Sequence, residues 1–192
     1  MPENFEGKIV YEISGEHLNP HDTDSLNYQV IYAKDSMVRV ENFTTIGKQI
    51  YIKHIPKNKA YILMELYGRK FAIQSFEDDA PNKGKYKFTT KRGSKRIAGR
   101  KTKKVLVEVP DIDSTFSMNY FVDIPPKYSE AIPGMPGLPA KYTLNSGGKF
   151  MDFKALQVEE RMINDDFFGV PTSYQIVTMD EFMEYIEEME SR

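Results

Sequence analysis

The sequence predicts a mainly β protein (α+β): an antiparallel meander of about ten strands forming a curved sheet or half-barrel, followed by a C-terminal amphipathic helix. Short runs of alternating apolar and polar residues recur along most of the 192 residues, and the links between them are too short for anything but antiparallel neighbours. The 12 Phe and 12 Tyr suit the half-buried surface of strands. A single stretch, 179–190, carries helical periodicity instead.

Taken in order, Phe5, Gly7, Ile9, Tyr11 and Ile13 alternate with Glu6, Lys8, Val10 and Glu12, the period of a half-buried strand. Gly15 to Ser25 breaks that run, and strands are then expected at 28–33, 37–43, 49–55, 60–66 and 70–75. A polar loop over 78–85 precedes strands at 95–98, 103–109 and 115–122. From Ile132 to Leu144 the chain reads I-P-G-M-P-G-L-P-A-K-Y-T-L. Pro133, Pro136 and Pro139 fix φ and delete donors while Gly134 and Gly137 permit positive φ, so a tight turn is expected before a strand at 140–145. The Ser146-Gly147-Gly148 turn pairs that strand with the last, 149–163.

The helix begins at a capping box, Thr178 with Glu181. Met179, Phe182, Met183, Ile186 and Met189 form an apolar stripe opposite Asp180, Glu184, Glu187, Glu188 and Glu190. Docking on the core is the first reading of this helix, and a detachable partner-binding helix is the second. Phe167, Phe168 and Tyr174, around Gly169-Val170-Pro171, are expected to anchor the exit from the final strand so that the helix lies across the open side of the sheet.

This length fits one domain, 1–192, large enough to bury a core without disulfides or metal. A net charge of −2 gives no global pull toward nucleic acid or membrane, and the absence of cysteine excludes a disulfide framework and thiol catalysis. No apolar run reaches the length of a transmembrane helix. The opening M-P-E-N-F-E lacks the regions of a signal peptide, which leaves a cytoplasmic protein or the mature, leaderless form of an exported one. No metal, cofactor or catalytic residue is assigned. His17 and His21 are separated by a helix-breaking Pro20, His54 stands alone, and Asp111 with Asp113 and Asp165 with Asp166 read as turn carboxylates. Asn42-Phe43-Thr44 matches a glycosylation acceptor but falls within a strand.

The strongest charge feature is a basic ribbon from 91 to 104, in which Lys91, Arg92, Lys95, Arg96, Arg100, Lys101, Lys103 and Lys104 are interrupted by no acid. A solvated hairpin ranks first, an anionic envelope surface second and nucleic acid a distant third, because no stacking rings interleave the charges.

The stretches F-E-G-K-I-V-Y-E-I (Phe5 to Ile13), K-R-I-A-G-R-K-T-K-K-V (Lys95 to Val105), G-L-P-A-K-Y (Gly137 to Tyr142) and F-F-G-V-P-T-S-Y (Phe167 to Tyr174) resemble an uncharacterised domain family of Bacteroidetes cell-envelope proteins. That family is similar in architecture to the lipoprotein carriers LolA and LolB, half-barrels with helices over an apolar cavity. The resemblance implies an exported, periplasmic or envelope protein. The leading expectation is therefore a non-enzymatic protein holding a lipid or other apolar ligand in the concave face, with Tyr61, Leu63, Met64, Phe116, Met118, Tyr120 and Phe182 as lining residues. The alternative is an interaction protein that meets an envelope partner or anionic surface through the basic ribbon.

Overall fold

In the computed structural model, which describes residues 3–15, 27–44, 47–57, 59–76, 86–109, 114–146 and 148–191, the alternating runs pair into one open, curved sheet of 12 strands. The strands are β1 (Gly7–Gly15), β2 (Tyr28–Lys34), β3 (Met37–Thr44), β4 (Gly47–His54), β5 (Lys59–Leu66), β6 (Arg69–Phe76), β7 (Lys87–Ile97), β8 (Arg100–Glu108), β9 (Thr115–Phe121), β10 (Pro139–Ser146), β11 (Lys149–Glu160) and β12 (Gln175–Val177). The helix α1 spans Met179–Glu190. In space the order is β12-β6-β5-β4-β3-β2-β1-β11-β10-β9-β8-β7. Two meanders, β1–β6 and β7–β11, are thus stitched together by the β1–β11 pair. Every pairing is antiparallel except β12 with β6, a strand of three residues too short to show alternation in the sequence.

Cross-strand register sorts the side chains onto two faces. Ile73, Ile62, Tyr51, Val40, Ile31 and Ile9 lie opposite one another across β6 to β1 and define the inner face. Their neighbours in sequence point the other way, as strand geometry demands, and Ala72, Leu63, Ile50, Glu41, Val30 and Val10 form the matching outer row. The sheet curls toward the inner face. Tyr142 on β10 donates from its hydroxyl to Gln29 Oε1 on β2 at 3.2 Å, although three strand spacings would hold flat neighbours about 14 Å apart.

The Pro/Gly stretch does more than turn the chain. Ile132, Met135 and Leu138 are all but fully buried, and with Phe121, Ile124 and Tyr128 they plug the inner face over β1, β2 and β8–β11. Gly137 is required by close approach, since a Cβ there would stand 2.1 Å from the Phe121 carbonyl oxygen. Gly134 takes φ +85°, a conformation open to glycine at no steric cost. Buried hydroxyls tie the plug down: Tyr128 donates to the Asp35 carbonyl (2.9 Å) and accepts from the Phe5 amide (3.0 Å), and Tyr11 donates to the Pro139 carbonyl (2.7 Å).

After β11 the chain crosses the outer face of β2–β6 as a strap. Phe167 meets Tyr32 edge-on at 4.8 Å, and Val170 and Tyr174 pack on Ile50, Leu63 and Ala72. The aromatic anchors expected at the exit of the last strand are therefore in place. The helix is not where the sequence placed it. It rounds the sheet edge after β12 and docks Phe182 on Phe71 (5.3 Å between rings), with Tyr185 and Ile186 beside it. It covers the β6 end of the inner face while the plug covers the centre, because 121–138 is already packed where a lid would lie. The apolar stripe is also narrower than its sequence pattern, with Met179 and Met183 each 47% exposed. The capping box forms as expected.

Candidate functional site

Among the described residues a concavity stands out on each face. The inner one, about 330 Å³, opens between β2, β3, β4 and β10 and is roofed by the 127–131 turn of the plug. Ile31, Val38, Val40 and Leu144 form its apolar floor. At one end a relay runs from the Tyr142 hydroxyl to Gln29, whose Nε2 donates to Asn42 Oδ1 at 3.0 Å, leaving the Asn42 amide nitrogen for another acceptor. At the other end Glu130 receives the Lys53 ammonium and the Tyr51 hydroxyl. Burial pushes the Tyr142 hydroxyl far above its ordinary pKa, and burial followed by the Glu130 charge does the same for Tyr51. Both therefore stay neutral and hydrogen-bonding at physiological pH.

The second concavity, about 370 Å³, is a trough on the outer face of β7–β10 lined by Gly93, Ser94, Lys95, Lys104, Ser117, Asn119 and Lys141. Its floor follows from register: Asn119 lies opposite Lys104 on one side and Lys141 on the other, and Lys141 in turn lies opposite Lys154. The β7–β8 pairing slips between Thr90 and Ser94, which sets three residues of β7 against Lys104 alone and widens the trough there.

The seven residues expected to line one apolar concavity are divided among three clusters. Tyr61 and Leu63 face outward beneath the strap, Met64 packs in the cluster that Phe182 of the helix forms on β6, and Phe116, Met118 and Tyr120 belong to the main core. None of them lines the inner pocket. The basic ribbon is the β7–β8 hairpin, with Lys91, Arg92, Lys95, Arg96, Lys101, Lys103 and Lys104 exposed. Arg100 departs from it, being half-buried, ion-paired to Asp123 (2.6 Å) and Glu160, and stacked 5.7 Å from the Phe5 ring. Sequence reasoning missed Gln29, Asn42, Tyr142 and Glu130 on the inner side and Asn119 and Lys141 on the outer, since only long-range register brings them together.

Among the described residues no three His, Asp or Glu side chains gather to hold a metal. His54 Nε2 lies 3.1 Å from the Phe168 carbonyl, and Asp165 pairs with Lys34 at 2.7 Å. His17, His21, Asp111 and Asp113 lie outside the described residues. Among the described residues no helix is long and apolar enough to cross a membrane.

These features define a class, an open curved antiparallel sheet that presents a pocket on one face and a basic trough on the other. No protein-family model matches the chain, and no curated sequence is significantly similar to it. Among solved structures it is similar to PNGF-II in two crystal forms. In the P21 form the TM-score is 0.57 at 14% identity over 93% of this chain, and in the C2 form it is 0.58 at 15% over 96%. The chain spans 33% of the PNGF-II chain in each, and at this identity the likeness is one of fold.

Proposed function

We propose that this protein is a non-enzymatic binding module of the cell envelope that holds a small amphiphilic ligand, of lipid or other apolar character, in the inner pocket. The observation that supports this reading is the pairing of an apolar floor (Ile31, Val38, Val40, Leu144) with polar groups at both ends of the same pocket. A pocket of this volume falls at the small end of those that bind organic ligands. About six buried CH₂ groups at about 0.8 kcal/mol each would supply about 5 kcal/mol, enough for sub-millimolar affinity, before any bond to Asn42 or Glu130 is counted. The envelope compartment rests on the resemblance of the Phe5–Ile13, Lys95–Val105, Gly137–Tyr142 and Phe167–Tyr174 stretches, and the likeness to PNGF-II supports the sheet alone.

Native mass spectrometry of the protein incubated with short-chain fatty acids and lysophospholipids tests the proposal. A retained one-to-one complex is expected, lost in Val40→Trp, which fills the floor of the pocket. A protein that retains none of these ligands, or a Val40→Trp variant that is folded by circular dichroism and binds as well as the parent, overturns it.

A further inference from the structure

The outer trough carries more than surface charge. Lys104, Lys141 and Lys154 follow one another across β8, β10 and β11, broken only by Asn119 on β9, and Lys141 and Lys154 are direct cross-strand partners. Like charges opposed in this way destabilise a sheet. The row meets a carboxylate only at its far end, where Glu12 lies opposite Lys154. Among the described residues none of Lys95, Lys104 and Lys141 has an ion-pair partner, whereas Lys87 at the start of the same hairpin pairs with Glu108. The floor between the lysines consists of short donors, Ser94, Ser117 and Asn119; Asn119 is only 6% exposed, and its Nδ2 directs one hydrogen to the Lys103 carbonyl (3.5 Å), which leaves the other for a ligand. The slip in β7 sits opposite Lys104 and puts Gly93, with φ +123°, in the wall.

We infer that this trough is a binding site for an organic phosphate, with Lys95, Lys104 and Lys141 surrounding the phosphoryl oxygens and Ser94, Ser117 and Asn119 donating from below. A phosphomonoester carries close to two negative charges and three acceptor oxygens at neutral pH, which matches several compact ammonium groups above hydroxyl and amide donors. The same chemistry is offered by the monoester headgroup of phosphatidic acid at a membrane and by a soluble sugar phosphate. The site is distinct from the inner pocket, on the opposite face and built from other residues, so the two proposals stand or fall separately.

The test measures binding of the full chain to a hexose phosphate by calorimetry and to phosphatidic-acid-containing vesicles by cosedimentation, each at two salt concentrations. Lys104→Gln and Lys141→Gln are each expected to weaken binding at least tenfold, while Lys101→Gln, on the same hairpin but outside the trough, changes it less than twofold. Saturable binding of the hexose phosphate identifies a soluble ligand, and trough-dependent binding to vesicles alone identifies the headgroup. Equal losses in all three variants would mean diffuse attraction to the ribbon and overturn the inference. So would the absence of saturable binding in both assays. All three replacements are on exposed side chains, so misfolding does not confuse the result.

Discussion

The outer surface of the sheet treats charge in two opposite ways. Across β2–β6 it is covered by the strap, and the charges beneath are matched: Arg39 and Glu41 form a nearly buried ion pair at 2.8 Å, Lys48 adds a second contact to Glu41, and the Arg39 guanidinium lies over the Phe167 ring at 4.3 Å while donating to the Phe167 carbonyl. Across the trough of β7–β10 nothing among the described residues covers the surface, and Lys104 and Lys141 have no ion-pair partner there. The inner plug supplies the packing of that second half, so the trough lysines are not needed to hold it together. Desolvation explains the difference, since a covered charge must be paired and an uncovered one need not be.

This contrast can be broken first at the covered half. Arg39→Ala leaves Glu41 under the strap with Lys48 alone and is expected to cost about 3–5 kcal/mol in urea unfolding. A loss below 1 kcal/mol would mean that the strap leaves the pair hydrated. A smaller effect is expected under the bare half, where Gly137→Ala drives a methyl into the Phe121 carbonyl and should cost about 1–3 kcal/mol as the plug shifts. An unchanged midpoint there would show that the plug is not what holds β8–β11. The smallest effect belongs to the trough, where Lys141→Gln should move stability by less than about 0.5 kcal/mol, and upward if at all, because it relieves Lys154. A clear destabilisation by Lys141→Gln would give these lysines the structural duty denied them here.

The local signals in the sequence were faithful. Alternation located β1–β6 and β9–β11 to within a few residues, and the Thr178/Glu181 box set the start of α1. The strand β7 was largely hidden because nearly every residue from Lys87 to Arg96 is solvent-facing, and a strand buried on neither face has no period to read. The plug was legible in part. Ile132, Met135 and Leu138 recur at intervals of three among the prolines, a signal of burial that turn chemistry overshadows. Of the two linings only Lys95 and Lys104 were legible, as part of the ribbon, since Gln29 meets Tyr142, and Asn119 comes to lie between Lys104 and Lys141, only after two meanders have joined and curled.

Among the described residues the open sheet of twelve strands ends in two rows of unpaired backbone donors and acceptors, each a template on which another chain could add. At one end the template is only three residues long and leads straight into the helix. At the other, β7 offers eleven residues, but it is kinked by the slip at Thr90–Ser94 and studded with Lys91, Arg92, Lys95 and Arg96. A second copy adding there edge to edge would set these cations against its own. The ribbon thus also guards against polymerisation, letting the sheet remain open, with its inner pocket accessible, without becoming the first layer of a fibre.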